Sequence, residues 1–220
     1  MELLHTAHVP AGEGPFPTVI ALHGWGASAH DLFGLAPLFQ GGEALTLCPQ
    51  GSVSVPIAPG YEGYGWFPIT GGGPPDPTEF ERAASRLRSF LDEALERYPV
   101  DRRKLVLLGF SQGGVMAYEL ALRDPSRYVG LAALSSWLPE ELVPAKLPEH
   151  EGFPTLVVHG TEDPMIPVER GRESRDRLRD LGVGLSYREF EMGHEVHPDA
   201  LREVLTWLDQ KALQPIQLIV

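Results

Sequence analysis

The segment Gly109-Phe110-Ser111-Gln112-Gly113-Gly114 contains the chain's only Gly-x-Ser-x-Gly pattern. A serine hydroxyl is a weak nucleophile near neutral pH. It needs a base to take its proton, and the base needs a third group to hold its tautomer. With 24 glycines and 11 serines in 220 residues, the pattern arises easily by chance, so its setting decides. Here the apolar run Leu105 to Leu108 precedes it and a helical pattern, Gln112 to Arg123, follows. On a sharp strand-to-helix turn the glycines leave room for a tight backbone path and lift Ser111 above the carboxyl edge of a sheet. The helix start aims its free N–H groups and positive dipole end at the same spot, and the N–H of Gln112 is the expected donor to a developing oxyanion. The expectation is a nucleophile elbow rather than an ordinary helix cap.

Candidate partners stand at two later strand ends. The run Thr155 to Val158 leads into His159-Gly160-Thr161-Glu162-Asp163, which offers two carboxylates, and Leu185 to Phe190 leads into Glu191-Met192-Gly193-His194. The chain order serine, acid, histidine suits this chemistry on an α/β sheet. His197 competes with His194, but it stands just before Pro198, a position that suits a helix start. His23 and His159 each end a strand before a glycine and are expected to hydrogen-bond backbone there. His5, His8, His30 and His150 read as surface or loop residues. A metal site does not fit, because Glu195 and His197 do not complete His-Glu-x-x-His and no cysteine pair exists. Neither Gly-x-Gly-x-x-Gly nor a P-loop pattern occurs, so no cofactor is expected.

Positioning these residues requires a sheet. Apolar runs of strand length recur at Thr18 to Leu22, Ala44 to Cys48, Leu105 to Leu108, Tyr128 to Leu134, Thr155 to Val158 and Leu185 to Phe190, with a weaker edge candidate at Glu2 to Val9. Helical patterns alternate with them: Leu32 to Phe39, Thr78 to Tyr98, Gln112 to Arg123, Val168 to Leu181 and Asp199 to Leu213. Ser28 with Asp31, and Thr78 with Glu81, have capping-box spacing. Continuous apolar strands alternating with helices predict an α/β fold: a mostly parallel sheet of about seven strands covered on both faces. Two stretches resist this scheme, Gly51 to Pro77 and Ser136 to Gly152. The first contains Tyr61, Tyr64, Trp66 and Phe67, too aromatic for a plain linker, and reads as a wall over a pocket.

Four segments together resemble the phospholipase/carboxylesterase group of α/β-hydrolases, which includes acyl-protein thioesterases. They are Leu22-His23-Gly24-Trp25-Gly26, the Ser111 segment, His159 to Pro167, and Met192-Gly193-His194-Glu195-Val196, and they span most of the chain in the family's order. The resemblance implies Ser111 as nucleophile, Asp163 as acid, His194 as base, and the Trp25 N–H as a second oxyanion donor beside Gln112. Trp66-Phe67 looks like the family's aromatic pair, with Pro68 where the family carries an acidic residue. Their faces suit an acyl chain, so both are expected to bind substrate. The implied activity is hydrolysis of carboxylic esters, with a small-molecule ester substrate. Seven short strands and their helices consume most of 220 residues and leave no stretch for a large cap, so an open pocket and short- to medium-chain esters are expected. Thioesterase or lysophospholipase activity on the same triad, or a non-catalytic binding module, are the alternatives.

Composition bounds the rest. At 220 residues with 43% apolar and 22% charged content, a single domain over 1–220 is expected. A net charge of −12 argues against a nucleic-acid partner. No apolar run approaches the roughly 20 residues of a membrane helix, and the start lacks a signal-peptide pattern, so a cytoplasmic protein is expected. Cys48 among apolar neighbours reads as a buried structural thiol. The absence of Asn fits a heat-loving source or base composition equally. The apolar tail Pro215 to Val220 reads as a docked or frayed terminus, with pairing to a partner chain as the alternative. A homo-oligomer remains open.

Overall fold

The computed structural model describes residues 3–69 and 74–214. Its elements run β1 (His5–His8), β2 (Phe16–Leu22), β3 (Leu45–Pro49), β4 (Val53–Ala58), β5 (Tyr61–Gly65), α1 (Pro77–Arg97), β6 (Val100–Phe110), α2 (Gln112–Arg123), β7 (Gly130–Leu134), β8 (Pro154–Gly160), α3 (Val168–Leu181), β9 (Gly184–Phe190) and α4 (Pro198–Trp207). Seven strands form one sheet in the order β1-β3-β2-β6-β7-β8-β9. Every pair is parallel except the edge strand β1 against β3.

Why the strands read as unbroken apolar runs is visible in their alternation. Ile20 and Leu22 of β2, Leu105 and Leu107 of β6, and Leu131 and Ala133 of β7 enter one core, which α1, α2 and α3 cover. Their neighbours Val19, Ala21, Val106, Leu108, Ala132 and Leu134 enter a second core on the opposite face, closed by α4 and the segment Leu32–Gly42. Strands buried on both faces have no polar side to reveal a period of two. Cys48 belongs to the second core, where burial pushes its thiol up to about 12.

Three local expectations are corrected. The α1 cap is Asp76, not Thr78: its carboxylate accepts from the Thr78 and Glu79 amides at 3.0 Å each, and Pro77 occupies the first helical position. Leu32–Gly42 is a 3₁₀ segment rather than an α-helix. Pro37 lacks an N–H in its middle, Phe39 to Gly41 break it, and Asp31 makes no side-chain cap. His150 is fully buried, its Nδ1 accepting from the Leu147 amide and its Nε2 hydrogen-bonded to the Leu122 carbonyl.

The two stretches without pattern also differ from each other. Ser136 to Gly152 holds only two short 3₁₀ turns, Glu140–Leu142 and Pro148–His150. Within Gly51 to Pro77, β4 and β5 pair as an antiparallel hairpin closed by Pro59-Gly60, with Gly60 at φ +78°, which glycine adopts without strain. Gly26 N donates to Tyr64 O at 2.9 Å and Tyr64 N to Ala27 O at 2.7 Å, tying the hairpin to the loop after β2. Residues 70–73 of that stretch, and the tail Pro215 to Val220, lie outside the described residues.

Parallel strands end on the same side. The residues following β2, β6, β7, β8 and β9 therefore meet along one edge, and among the described residues no helical cap is inserted over it. From β2 the chain passes to β3 on one side, while β6 to β9 extend on the other. The carboxyl ends of β2 and β6 therefore flank the crevice where such sheets bind ligands.

Candidate active site

Ser111 follows β6 at φ 53° and ψ −121°, a conformation unfavourable for an L-residue. Several bonds hold it. Its N–H donates to Leu134 O at 2.9 Å, and its carbonyl accepts from Gly114 N at 2.9 Å and from Ser136 Oγ at 2.8 Å. The glycines around it serve close approach: a Cβ on Gly109 would lie 2.3 Å from Gly113 O, and one on Gly113 would lie 2.1 Å from Leu22 O. The turn thus presses the start of α2 onto the end of β2.

His194 arrives from the loop after β9 and Asp163 from the loop after β8. His194 Nδ1 is 2.7 Å from Asp163 Oδ2, and Nε2 is 3.0 Å from Ser111 Oγ. A carboxylate only accepts, so Nδ1 carries the proton and Nε2 is left to accept from the hydroxyl. Asp163 is buried, and its Oδ1 accepts from the Met165 and Ile166 amides at 2.9 and 2.8 Å. Phe110 lies against one side of His194, with ring centroids 4.9 Å apart. Glu162, the neighbouring carboxylate, is exposed. His197 stands at the N-cap of α4, accepting from the Asp199 amide at 3.3 Å. The arrangement can move a proton from a serine hydroxyl to an imidazole backed by a buried carboxylate.

The loop after β2 borders the same spot. A Cβ on Gly24 would lie 3.3 Å from Ser111 Cβ. His23 fixes this loop: Gly51 N donates to its Nε2 at 2.9 Å, so Nδ1 carries the proton and donates to Gly24 O at 2.7 Å. Burial holds the His23 pKa below the ordinary histidine value, in keeping with that single-proton form. In a trans peptide the N–H points opposite to the C=O, so the Trp25 N–H is turned away from the His23 ring. The Trp25 ring is half-buried against Gly65, where any Cβ would strike it.

Trp66 and Phe67 differ from expectation. They are 2% and 3% exposed, and both side chains belong to the core. Trp66 Nε1 donates to His23 O at 2.8 Å, and Phe67 packs on Phe80 at 5.2 Å. The buried side chain of Gln112 spans both residues, accepting from Trp66 N at 2.8 Å and donating to Phe67 O at 2.7 Å. An aromatic pair reads the same in a sequence whether it faces a pocket or a core. Trp66→Ala should therefore lower stability by about 3–5 kcal/mol, as large core truncations do. Urea unfolding checks this, and an unchanged midpoint with a raised KM would return Trp66 to the pocket wall.

His23 makes the backbone hydrogen bonds expected of it, but the bracing roles of the Gln112 and Ser136 side chains were not anticipated. Their contacts run to backbone groups far along the chain, which spacing does not reveal. Of the hairpin's outward side chains, Tyr61 (74% exposed) was among the aromatics read as a wall, whereas Ile57 (57%) was not anticipated.

Known proteins share this architecture. The chain is similar to acyl-protein thioesterase 1 of Gibberella zeae, with 30% identity covering 94% of each chain. Among solved structures, esterase PE8 superposes with TM-score 0.82 at 25% identity, covering 94% of this chain and 98% of its own. The Bacillus cereus carboxylesterase shares the fold with TM-score 0.81 at 23% identity, covering 95% of this chain and 94% of its own. The family match spans residues 5–212, and the chain belongs to the phospholipase/carboxylesterase family.

Proposed function

We propose that the protein is a serine carboxylesterase that hydrolyses short- to medium-chain esters through an acyl-enzyme. The observation that carries this reading is the hydrogen-bonded series from Ser111 Oγ through His194 to buried Asp163. Ser111 attacks the ester carbonyl as His194 Nε2 takes its proton. His194 returns that proton to the leaving alcohol, then activates water against the acyl-enzyme. Asp163 orients the imidazole and stabilises its cation. The backbone N–H groups of Gln112 and Trp25 receive the oxyanion, from the start of α2 and from the His23-braced loop.

The substrate side of this proposal rests on the hairpin. Hairpin residues alone, Ile57, Tyr61 and Tyr64 among them, line an open concavity of about 950 Å³ that does not include Ser111 or His194; its link to them is the loop after β2, where Ile57 Cδ1 lies 3.0 Å from where a Cβ on Gly26, beside Trp25, would sit. A wall this open suits soluble esters and gives no reason for a rate jump at a lipid interface. A panel of p-nitrophenyl esters tests it, with fluorophosphonate labelling confirming a reactive serine. Activity should peak at short to medium chains without a jump across the critical micelle concentration. Ile57→Ala should raise KM for a medium-chain ester about fivefold and leave kcat on the acetate unchanged, because it removes one or two methylenes of contact. Preference for long-chain emulsions refutes the open-wall reading.

The similarity to an acyl-protein thioesterase favours a second reading, thioester hydrolysis by the same residues. Matched oxygen esters and thioesters in the panel separate the two.

A further inference from the structure

His159 is the penultimate residue of β8, four residues before Asp163, and it is fully buried. Its Nε2 lies 2.8 Å from Ile166 O, while its Nδ1 is buried with no hydrogen-bond partner among the described residues. A carbonyl only accepts, so the proton sits on Nε2 and Nδ1 carries a lone pair. An apolar residue of the same size would fill this space without leaving a nitrogen unpaired, so packing alone does not explain a histidine here.

The turn that His159 holds is the one that holds the acid. Ile166 is gripped at both ends: its N–H donates to Asp163 Oδ1 at 2.8 Å, and its C=O accepts from His159. The neighbouring Met165 N–H donates to the same Oδ1 at 2.9 Å. Asp163 Oδ2 is thereby left for His194 Nδ1, with the protonated edge of His159 at 3.9 Å, beyond hydrogen-bond reach. The imidazole has little room to shift, since a Cβ on Gly171 of α3 would already lie 2.6 Å from Nδ1.

We propose that His159 is a positioning residue, whose Nε2–H fixes the Ile166 carbonyl and so the turn that aims the Asp163 carboxylate at His194. The inference rests on the ester-hydrolase reading above and adds to it a residue that touches neither substrate nor the reacting serine.

The test compares kcat and KM of variants on one soluble ester. His159→Phe keeps the ring and removes the donor, and should lower kcat about 10- to 100-fold, the usual range for groups that orient a functional side chain, with KM within twofold. His159→Gln reaches Ile166 O with its terminal amide and should recover most of kcat; His159→Asn is one carbon too short and should not. If the phenylalanine variant does not fold, the contrast between glutamine and asparagine decides the matter. In an Asp163→Asn background, His159→Phe should bring no further loss, because it acts only through that carboxylate. An equal loss in both backgrounds, or a glutamine variant as slow as asparagine, overturns the positioning role. If wild-type protein takes no fluorophosphonate at Ser111, the hydrolase reading falls and takes this inference with it. If wild type labels and His159→Phe turns over normally, only the positioning role falls.

Discussion

Ser111→Ala is expected to give a folded protein that takes up no fluorophosphonate and hydrolyses esters with kcat lower by about 10⁵- to 10⁶-fold. The reasoning begins with what the hydroxyl does not do. The unfavourable backbone at Ser111 is held by its own N–H and C=O, through Leu134, Gly114 and Ser136, and the side chain's hydrogen bond is to His194. Removing one oxygen therefore leaves the turn, the helix start and the two cores intact, and the midpoint of thermal unfolding should move little. What remains of the rate comes from binding and the oxyanion donors alone. Near-normal turnover by a well-folded variant would remove Ser111 from the chemistry and the esterase proposal with it.

Asp163→Asn should cost about 10⁴-fold in kcat, the loss expected when a serine hydrolase's base is held in the wrong tautomer. The hydrogen bonds say why. The Met165 and Ile166 amides need an acceptor, so the asparagine oxygen turns toward them and its NH₂ toward His194. That NH₂ donates to Nδ1, the ring proton moves to Nε2, and Nε2 can no longer accept from Ser111. Glu162→Gln should stay within about twofold, because that exposed carboxylate has no part in the series. Steady-state kinetics of the two purified variants decide the ranking, and the reverse order would transfer the acid role to Glu162.

Much of the arrangement was legible because it depends on short-range signals. Strands buried on both faces announce themselves as apolar runs, and the bounds of α2 and α3, Gln112–Arg123 and Val168–Leu181, follow from a glycine turn, a closing Pro125 and Gly182. The meeting of Ser111, Asp163 and His194 follows once β6, β8 and β9 run parallel in one sheet and end along the same edge. What was illegible depends on distant partners or competing chemistry. In the hairpin, Pro56, Pro59, Gly60, Gly63 and Gly65 interrupt any alternation, and β4 keeps its proline because the ribbon has only two strands. His150 is buried because Leu122 O, 28 residues away, needs a donor. Asp76 displaced Thr78 as a cap because the proline between them already has the fixed φ of a first helical turn.

The two-residue anchorage of Trp66 and Phe67 on the Gln112 amide separates the hairpin into a root and a rim. At the root, Gly63 and Gly65 allow backbone and ring contacts closer than any side chain would permit, and the following residues are hydrogen-bonded to the turn that bears Ser111. At the rim, Tyr61 and the greater part of Ile57 are exposed, and Ile57 touches the protein through Cδ1 beside Gly26. Redesign of acyl preference therefore has a natural border: exchanges at positions 56–61 can alter what the rim grips, whereas exchanges at 63–67 would tug on the same amide that stands beside the reacting serine.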